Sequence, residues 1–205
     1  MRKRRYGIRA LAAALAFSAL SAAGCSRNTE TDPVNDWVSA PIGQPAPHDE
    51  AAVAEPGEPR RIAFARPDGE TYFASDIYPD PVYRGGPDGT ELNPDTELPV
   101  RWAEAGLPGA ETGETVVVVG HNYTDRIAPF HHLRDVSIDD GIILDLGHAV
   151  LTYRVEAVHA IEKGTMLGEH HLRQHTAGRL VLANCDVLDG SGTGDNYLVV
   201  AQLEM

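Results

Sequence analysis

The sequence predicts a mostly-β domain, a sandwich or barrel of short strands with two small helices, carried behind an export segment and a linker. Three observations carry that expectation. From Arg60 onward, short apolar segments recur between clusters of Gly, Pro, Asp and Asn, with no internal repeat. Two segments, Val116 to Val119 and Leu180 to Ala183, are continuously apolar, as strands buried on both sides or lining a closed barrel are. A third, Val150 to Val158, alternates instead, with Leu151, Tyr153, Val155 and Ala157 predicted on one face and a wet opposite side.

The elements follow in order. Residues 1–24 carry Arg2, Lys3, Arg4, Arg5 and Arg9 without an acidic residue, then an apolar run from Ala10 to Leu20 and small residues to Gly24. That is the layout of an export signal. The run is shorter than the roughly 20 apolar residues a bilayer-spanning helix needs. It ends in Ala22-Ala23-Gly24-Cys25, which resembles a bacterial lipobox and makes Cys25 the expected lipidation site, with Ala22 where Leu is usual. An uncleaved signal anchor is the alternative, and both readings put the domain outside the cytoplasm, tethered to the membrane. Residues 25–59 are rich in Pro, Ala, Asp and Glu without periodicity and read as a disordered linker. Residues 60–205 are the domain.

Within the domain the expected strands are Ile62 to Ala65, Thr71 to Ala74, Thr115 to Gly120, Gly141 to Leu146, Val150 to Ile161, Arg179 to Cys185 and Tyr197 to Leu203. Short helices are expected at Ala128 to Asp135 and Met166 to His175. The full chain has a net charge of −13, and without residues 1–24 it keeps 12 basic against 30 acidic residues, a net −18. So acidic a chain is a poor partner for nucleic acid.

The chain has two cysteines. Structural cysteines of exported proteins come in pairs, so lipidation of Cys25 leaves Cys185 a solitary thiol that calls for a chemical reason. Two strands each deliver a reactive side chain at their C-terminal end. Thr115 to Val119 runs into Gly120-His121-Asn122-Tyr123, and Arg179 to Ala183 into Asn184-Cys185-Asp186. If those strands are parallel neighbours, thiol and imidazole meet at one rim, the thiol as nucleophile and the ring as acid/base. Among the other histidines, His131, His132, His170, His171 and His175 include an i, i+4 pair. They lack a His-Glu-x-x-His string or a second thiolate, so no metal site is expected, and no cofactor is called for.

The order of residues is specific. Glu91-Leu92-Asn93-Pro94, Trp102, Gly106-Leu107-Pro108-Gly109, Gly113 and Val116 to His121 lead to the histidine. Phe130, Leu133, Asp140-Gly141, Tyr153-Arg154-Val155, Leu180 to Cys185, Asp195-Asn196 and Leu198 to Ala201 follow it. From about Arg60 to Met205 this resembles the sortases of Gram-positive bacteria, the class E and class F enzymes of actinobacteria in particular. The resemblance implies a closed eight-stranded β-barrel with one or two short helices. It also implies a cysteine transpeptidase that cleaves an LPXTG-like sorting signal through an acyl-thioester. The product is passed to a cell-wall or pilin amine or to water, with Cys185 as nucleophile and His121 as acid/base.

The chain departs from the resemblance in two places. No arginine lies between Cys185 and the C-terminus, and Gly194 falls where the family's arginine is expected; Asn184 stands where the family has Thr. Asn184, Asn196 and the amides of Gly190 to Gly194 are the candidate oxyanion or substrate contacts in its place, with Arg126 and Arg134 next in line. Two other readings stay open: a catalytically degraded sortase-fold lipoprotein that binds, and another exported Cys-His hydrolase.

Overall fold

The computed structural model describes residues 54–86, 88–109, 113–169 and 175–204. The export segment, Cys25 and the linker up to residue 53 lie outside the described residues. Nine strands form one sheet: β1 (Arg61–Ala65), β2 (Thr71–Asp76), β3 (Tyr78–Val82), β4 (Val100–Trp102), β5 (Val116–Val119), β6 (Gly141–Asp145), β7 (Val150–Glu162), β8 (Arg179–Leu188) and β9 (Ser191–Leu203). Their order is β2-β1-β6-β7-β9-β8-β5-β4-β3. A 3-10 helix, Pro129–Asp135, and a 3-10 turn, Met166–Gly168, are the helical elements among the described residues. Among them, no helix is long and apolar enough to cross a membrane.

The two outermost strands explain how a nine-strand sheet becomes a barrel. β2 and β3 are separated only by Ile77, so they are two halves of one run of chain. The first half pairs with β1 and the second with β4. At the bend the Ile77 amide donates to the Arg60 carbonyl at 2.7 Å, and the Tyr78 amide to the Pro99 carbonyl at 2.9 Å. The chain thus transfers its pairing from one end of the sheet to the other in two residues, and the eight strands expected become nine because one is bent. The β3 and β4 segments were not anticipated. β3 reads Tyr-Pro-Asp-Pro-Val, a composition that argues against a strand, and β4 is three residues long.

Each face of the sheet has its own core. One is built from Ile62, Phe64, Val118, Leu144, Tyr153 and Leu182, and the 3-10 helix plugs it with Phe130 and Leu133, both fully buried. The other joins Val100, Trp102, Val119, Ala183, Leu198 and Val200. The Val116–Val119 run serves both, its even members facing the first core and its odd members the second. That is the physical reason for an unbroken apolar strand. The alternation expected in β7 holds through Leu151, Tyr153 and Val155. Ala157 is a correction: a bulge at Glu156 sets Val155 opposite Ala201 and Ala157 opposite the adjacent Val200. The extra residue moves Ala157 to the second core, against expectation. The helix expected over Met166 to His175 is a 3-10 turn as far as Gly168, and residues 170–174 lie outside the described chain.

Gly120 closes β5 under the helix. A Cβ built there would come within 2.8 Å of the Phe130 ring, below any normal contact, and Phe130 is fully buried with no room to retreat. Gly120→Ala is therefore expected to destabilise the fold by about 1–3 kcal/mol, the range for overpacking a core, as read by urea denaturation. Unchanged stability would mean that the ring relaxes freely.

Candidate active site

β5 and β8 are parallel neighbours, with Val116 opposite Leu180 and Val119 opposite Ala183. The Gly120 amide extends that ladder by one step, donating to the Ala183 carbonyl at 3.0 Å. His121 follows Gly120 beyond the end of β5, and Cys185 lies two residues past Ala183 within β8, at the same end of the pair. By alternation from Val119 and Ala183 they continue the face of the second core. On the far side of β8, antiparallel β9 sets Asn196 opposite Cys185.

Cys185 is a free thiol and partly exposed. The His121 ring makes a hydrogen bond through Nε2 to the Pro94 carbonyl at 2.8 Å. It stacks on Tyr123 with ring centroids 5.0 Å apart and 21° between planes. Among the described residues the two side chains share no hydrogen bond. Open space flanks this rim on both sides. A cleft of about 460 Å³ lies over Tyr78, Asp80, Tyr83, Pro94 and Val100. A smaller one of about 260 Å³ lies over Tyr123, Arg126, Val187 and Asp189. A third hollow of about 560 Å³ sits at the other end of β5, lined by Arg84, Trp102, Glu104, Glu114, Leu167 and His175.

The remaining candidates divide. Asn196 is at the rim, its amide donating to the Asn184 main-chain carbonyl at 3.0 Å, across from the thiol. The Asn184 side chain is not brought there. It is 3% exposed and donates to the Phe130 carbonyl at 2.6 Å, on the core side of β8. Gly194 has φ +88° and nothing within 4 Å of a built Cβ. An arginine there would find space but a strained backbone.

Both arginines held in reserve are engaged. Arg134 makes a two-pronged pair with Asp186, at 2.6 Å on each prong, and lies 4.8 Å over the Tyr197 ring. Arg126 pairs with Glu97 at 3.1 Å and lies 3.6 Å over the Tyr123 ring. Neither role was legible in the sequence, because Asp186 lies 52 residues from Arg134 and Glu97 lies 29 from Arg126. Three of the histidines outside the rim have partners of their own. His131 shares a hydrogen bond with Asn122 at 3.1 Å, His132 with Asp135 at 2.9 Å, and His175 stands 3.8 Å from Glu114. His170 and His171 lie outside the described residues. Among the described residues no group of three or more metal-ligating side chains gathers.

Comparison with known proteins places this arrangement. No protein-family model matches the sequence, and no curated protein sequence matches it. Among solved structures, a lid mutant of sortase A from Corynebacterium diphtheriae superposes with a TM-score of 0.51 over 76% of this chain and 75% of its own, at 20% identity. The fold is that of the sortases. Sortase C-1 from Actinomyces oris superposes at 0.48 over 70% of this chain and 73% of its own, at 16% identity. Sortase C-3 from Streptococcus pneumoniae does so at 0.49 over 73% and 64%, at 17% identity. At such identities the likeness concerns the sortase fold and not the chemistry.

The pair Arg134–Asp186 joins the 3-10 helix to β8 immediately after Cys185, and the Thr193 hydroxyl adds a third hydrogen bond to the same carboxylate at 2.8 Å. Hydrogen bonds from Arg134, and then from Thr193, hold the Asp186 carboxyl below the usual carboxylate range against the opposing effect of burial. A carboxyl depressed in the folded state stabilises fully above its unfolded value of about 3.9, and that contribution is lost as pH falls through the folded value. Arg134→Ala is therefore expected to cost about 2–3 kcal/mol at pH 7, where it strands a buried carboxylate. The difference from wild type should shrink at pH 3, measured by urea denaturation at both values; an equal loss at both would mean that the pair is only a packing contact.

Proposed function

We propose that the chain is an exported cysteine transpeptidase of sortase type that cleaves an LPXTG-like sorting signal and hands the product to a cell-wall or pilin amine. The observation that supports it most is the parallel β5/β8 pair, which brings His121, just past the Gly120 to Ala183 hydrogen bond that follows β5, to the same end as Cys185 within β8. Strand pairing holds two reactive groups in register more rigidly than loops do, which is what a nucleophile and its acid/base require.

In this reading the Cys185 thiolate adds to the carbonyl of the scissile Thr-Gly bond. The tetrahedral intermediate collapses to an acyl-thioester as the imidazolium of His121 protonates the departing amine. The incoming amine then gives its proton to the ring as it attacks, and sulfur leaves as thiolate. Asn196, opposite the thiol, is the oxyanion or substrate donor that stands in for the missing arginine. It is aided by the main-chain amides of the Gly190 to Gly194 turn. Asn184 supports that assembly through its main-chain carbonyl, which accepts the Asn196 amide, while its side chain anchors it to the Phe130 carbonyl on the core side. The peptide would lie along the face that carries the rim, where the cleft over Tyr78 and Val100 opens. Residues 1–24 would direct export, Cys25 or an uncleaved anchor would hold the protein at the membrane, and the linker ahead of Ala54 would space the domain from it, since Gly57 and Glu58 are bonded to Pro108 and Arg101 of the domain. Within the family, a class E or class F relationship fits the sequence.

A fluorogenic LPXTG-type peptide with a diamine acceptor tests the proposal. Cleavage and a mass-detected thioester are expected in wild type and absent from Cys185→Ala, while Asn196→Ala should turn over about 10²-fold more slowly. Labelling of Cys185 by a thiol-reactive peptide mimic without any turnover would favour a binding relic. Cleavage that survives Cys185→Ala would overturn the reading.

A further inference from the structure

His121 sits in a closed circuit of side chains and backbone. Its Nε2 bonds to the Pro94 carbonyl at 2.8 Å. Its ring stacks on Tyr123. The opposite end of the circuit is Arg126, whose guanidinium lies 3.6 Å over the Tyr123 ring and pairs with Glu97 at 3.1 Å. Glu97 is three residues along the same segment as Pro94, so the circuit returns to where it began. Pro94 is buried while Asn93 and Asp95 on either side are exposed, so the segment is pinned at the residue that meets the ring.

The chemistry of that contact is one-sided. A carbonyl oxygen only accepts, so Nε2 carries the hydrogen in the neutral ring as well as in the cation, and the lone pair of the neutral ring is on Nδ1. In an unconstrained imidazole the two tautomers exchange. Here exchange would leave the Pro94 carbonyl facing a lone pair, a buried acceptor against an acceptor, at the cost of the hydrogen bond.

We infer that Tyr123, Arg126 and Glu97 are positioning residues that hold the Pro94 carbonyl against His121 and thereby fix the ring as its Nε2–H tautomer, with Nδ1 its only basic atom. Tyr123 sets the plane of the ring. Arg126 holds Tyr123 from above, and Glu97 both neutralises Arg126 and ties the Pro94 segment to it. The catalytic consequence rests on the transpeptidase reading: the proton taken from the acceptor amine and given to the leaving amine passes through Nδ1, while Nε2 stays bonded to the main chain. The tautomer itself is independent of that reading.

The test uses the 15N-labelled full-length chain. Long-range proton–nitrogen correlation of the neutral ring, assigned by loss of the signal in His121→Gln, is expected to show the Nε2–H form alone in wild type. A mixture of tautomers is expected in Arg126→Ala and in Tyr123→Ala, with wild-type behaviour restored in Arg126→Lys and Tyr123→Phe. Arg126 and Glu97 are surface groups, so Arg126→Ala and Glu97→Gln should fold even if Tyr123→Ala does not. A predominant Nδ1–H form in wild type, or the same single tautomer in every variant, overturns the inference. Peptide turnover supplies the second readout. Arg126→Ala and Glu97→Gln are expected to lower kcat about tenfold with KM changed less than about twofold, the mark of a misplaced acid/base rather than a lost binding contact. Unchanged kcat in both variants overturns the positioning role. A wild type without turnover would defeat the transpeptidase reading and leave the tautomer result to decide the inference.

Discussion

The parallel ladder between β5 and β8 is the constraint on which the rest of the molecule depends. Its register, Val119 opposite Ala183 and then the Gly120 amide on the Ala183 carbonyl, fixes where β5 leaves the sheet and which residues of β8 stand beside that exit. A slip of one residue would turn Val116 and Val118 out of the first core and send Val117 and Val119 into it. The same slip would part His121 from Cys185. Core packing and site geometry are therefore secured by the same hydrogen bonds. The apolar run that looks merely hydrophobic in the sequence is what sets His121 and Cys185 at one end of the pair.

The 3-10 helix extends this control from beneath. Phe130 fills the first core against Gly120, and its carbonyl accepts the Asn184 amide. Arg134, one turn further on, grips Asp186. The residues before His121 and on both sides of Cys185 are thus tied to one seven-residue element. The helix is short, but its contacts fall on both chains that carry the rim residues.

Much of this was legible in the sequence where periodicity reports burial. The strands near Thr115 and Arg179 and the helix near Pro129 follow from local patterns, although β8 runs past Cys185 to Leu188, so the cysteine is within the strand and not at its end. What escaped was set by contacts distant in the chain. β3 is a strand only because Tyr78 and Val82 lie beside Val100 and Trp102, and its two prolines hide it from any local rule. Ala157 changed sides through a bulge that no periodicity announces. Asn184 reads as a polar neighbour of the cysteine, yet alternation turns it to the core, where the Phe130 carbonyl awaits it. Arg126 and Arg134 read as fallback candidates for the missing arginine, and each is engaged by a carboxylate that the fold alone brings near.

The bent run from Thr71 to Val82 has a consequence for how the domain behaves among its own kind. A sheet normally ends in rows of unpaired amides and carbonyls, which can template a strand from another molecule. Here the two ends of the sheet are halves of one short run, and the half that lies beside β4 carries Pro79 and Pro81, which have no amide to offer. Asp80 stands between them, exposed and charged. A second copy approaching that edge meets missing donors and negative charge, so edge-to-edge growth into aggregates is blocked where the barrel comes closest to lying open.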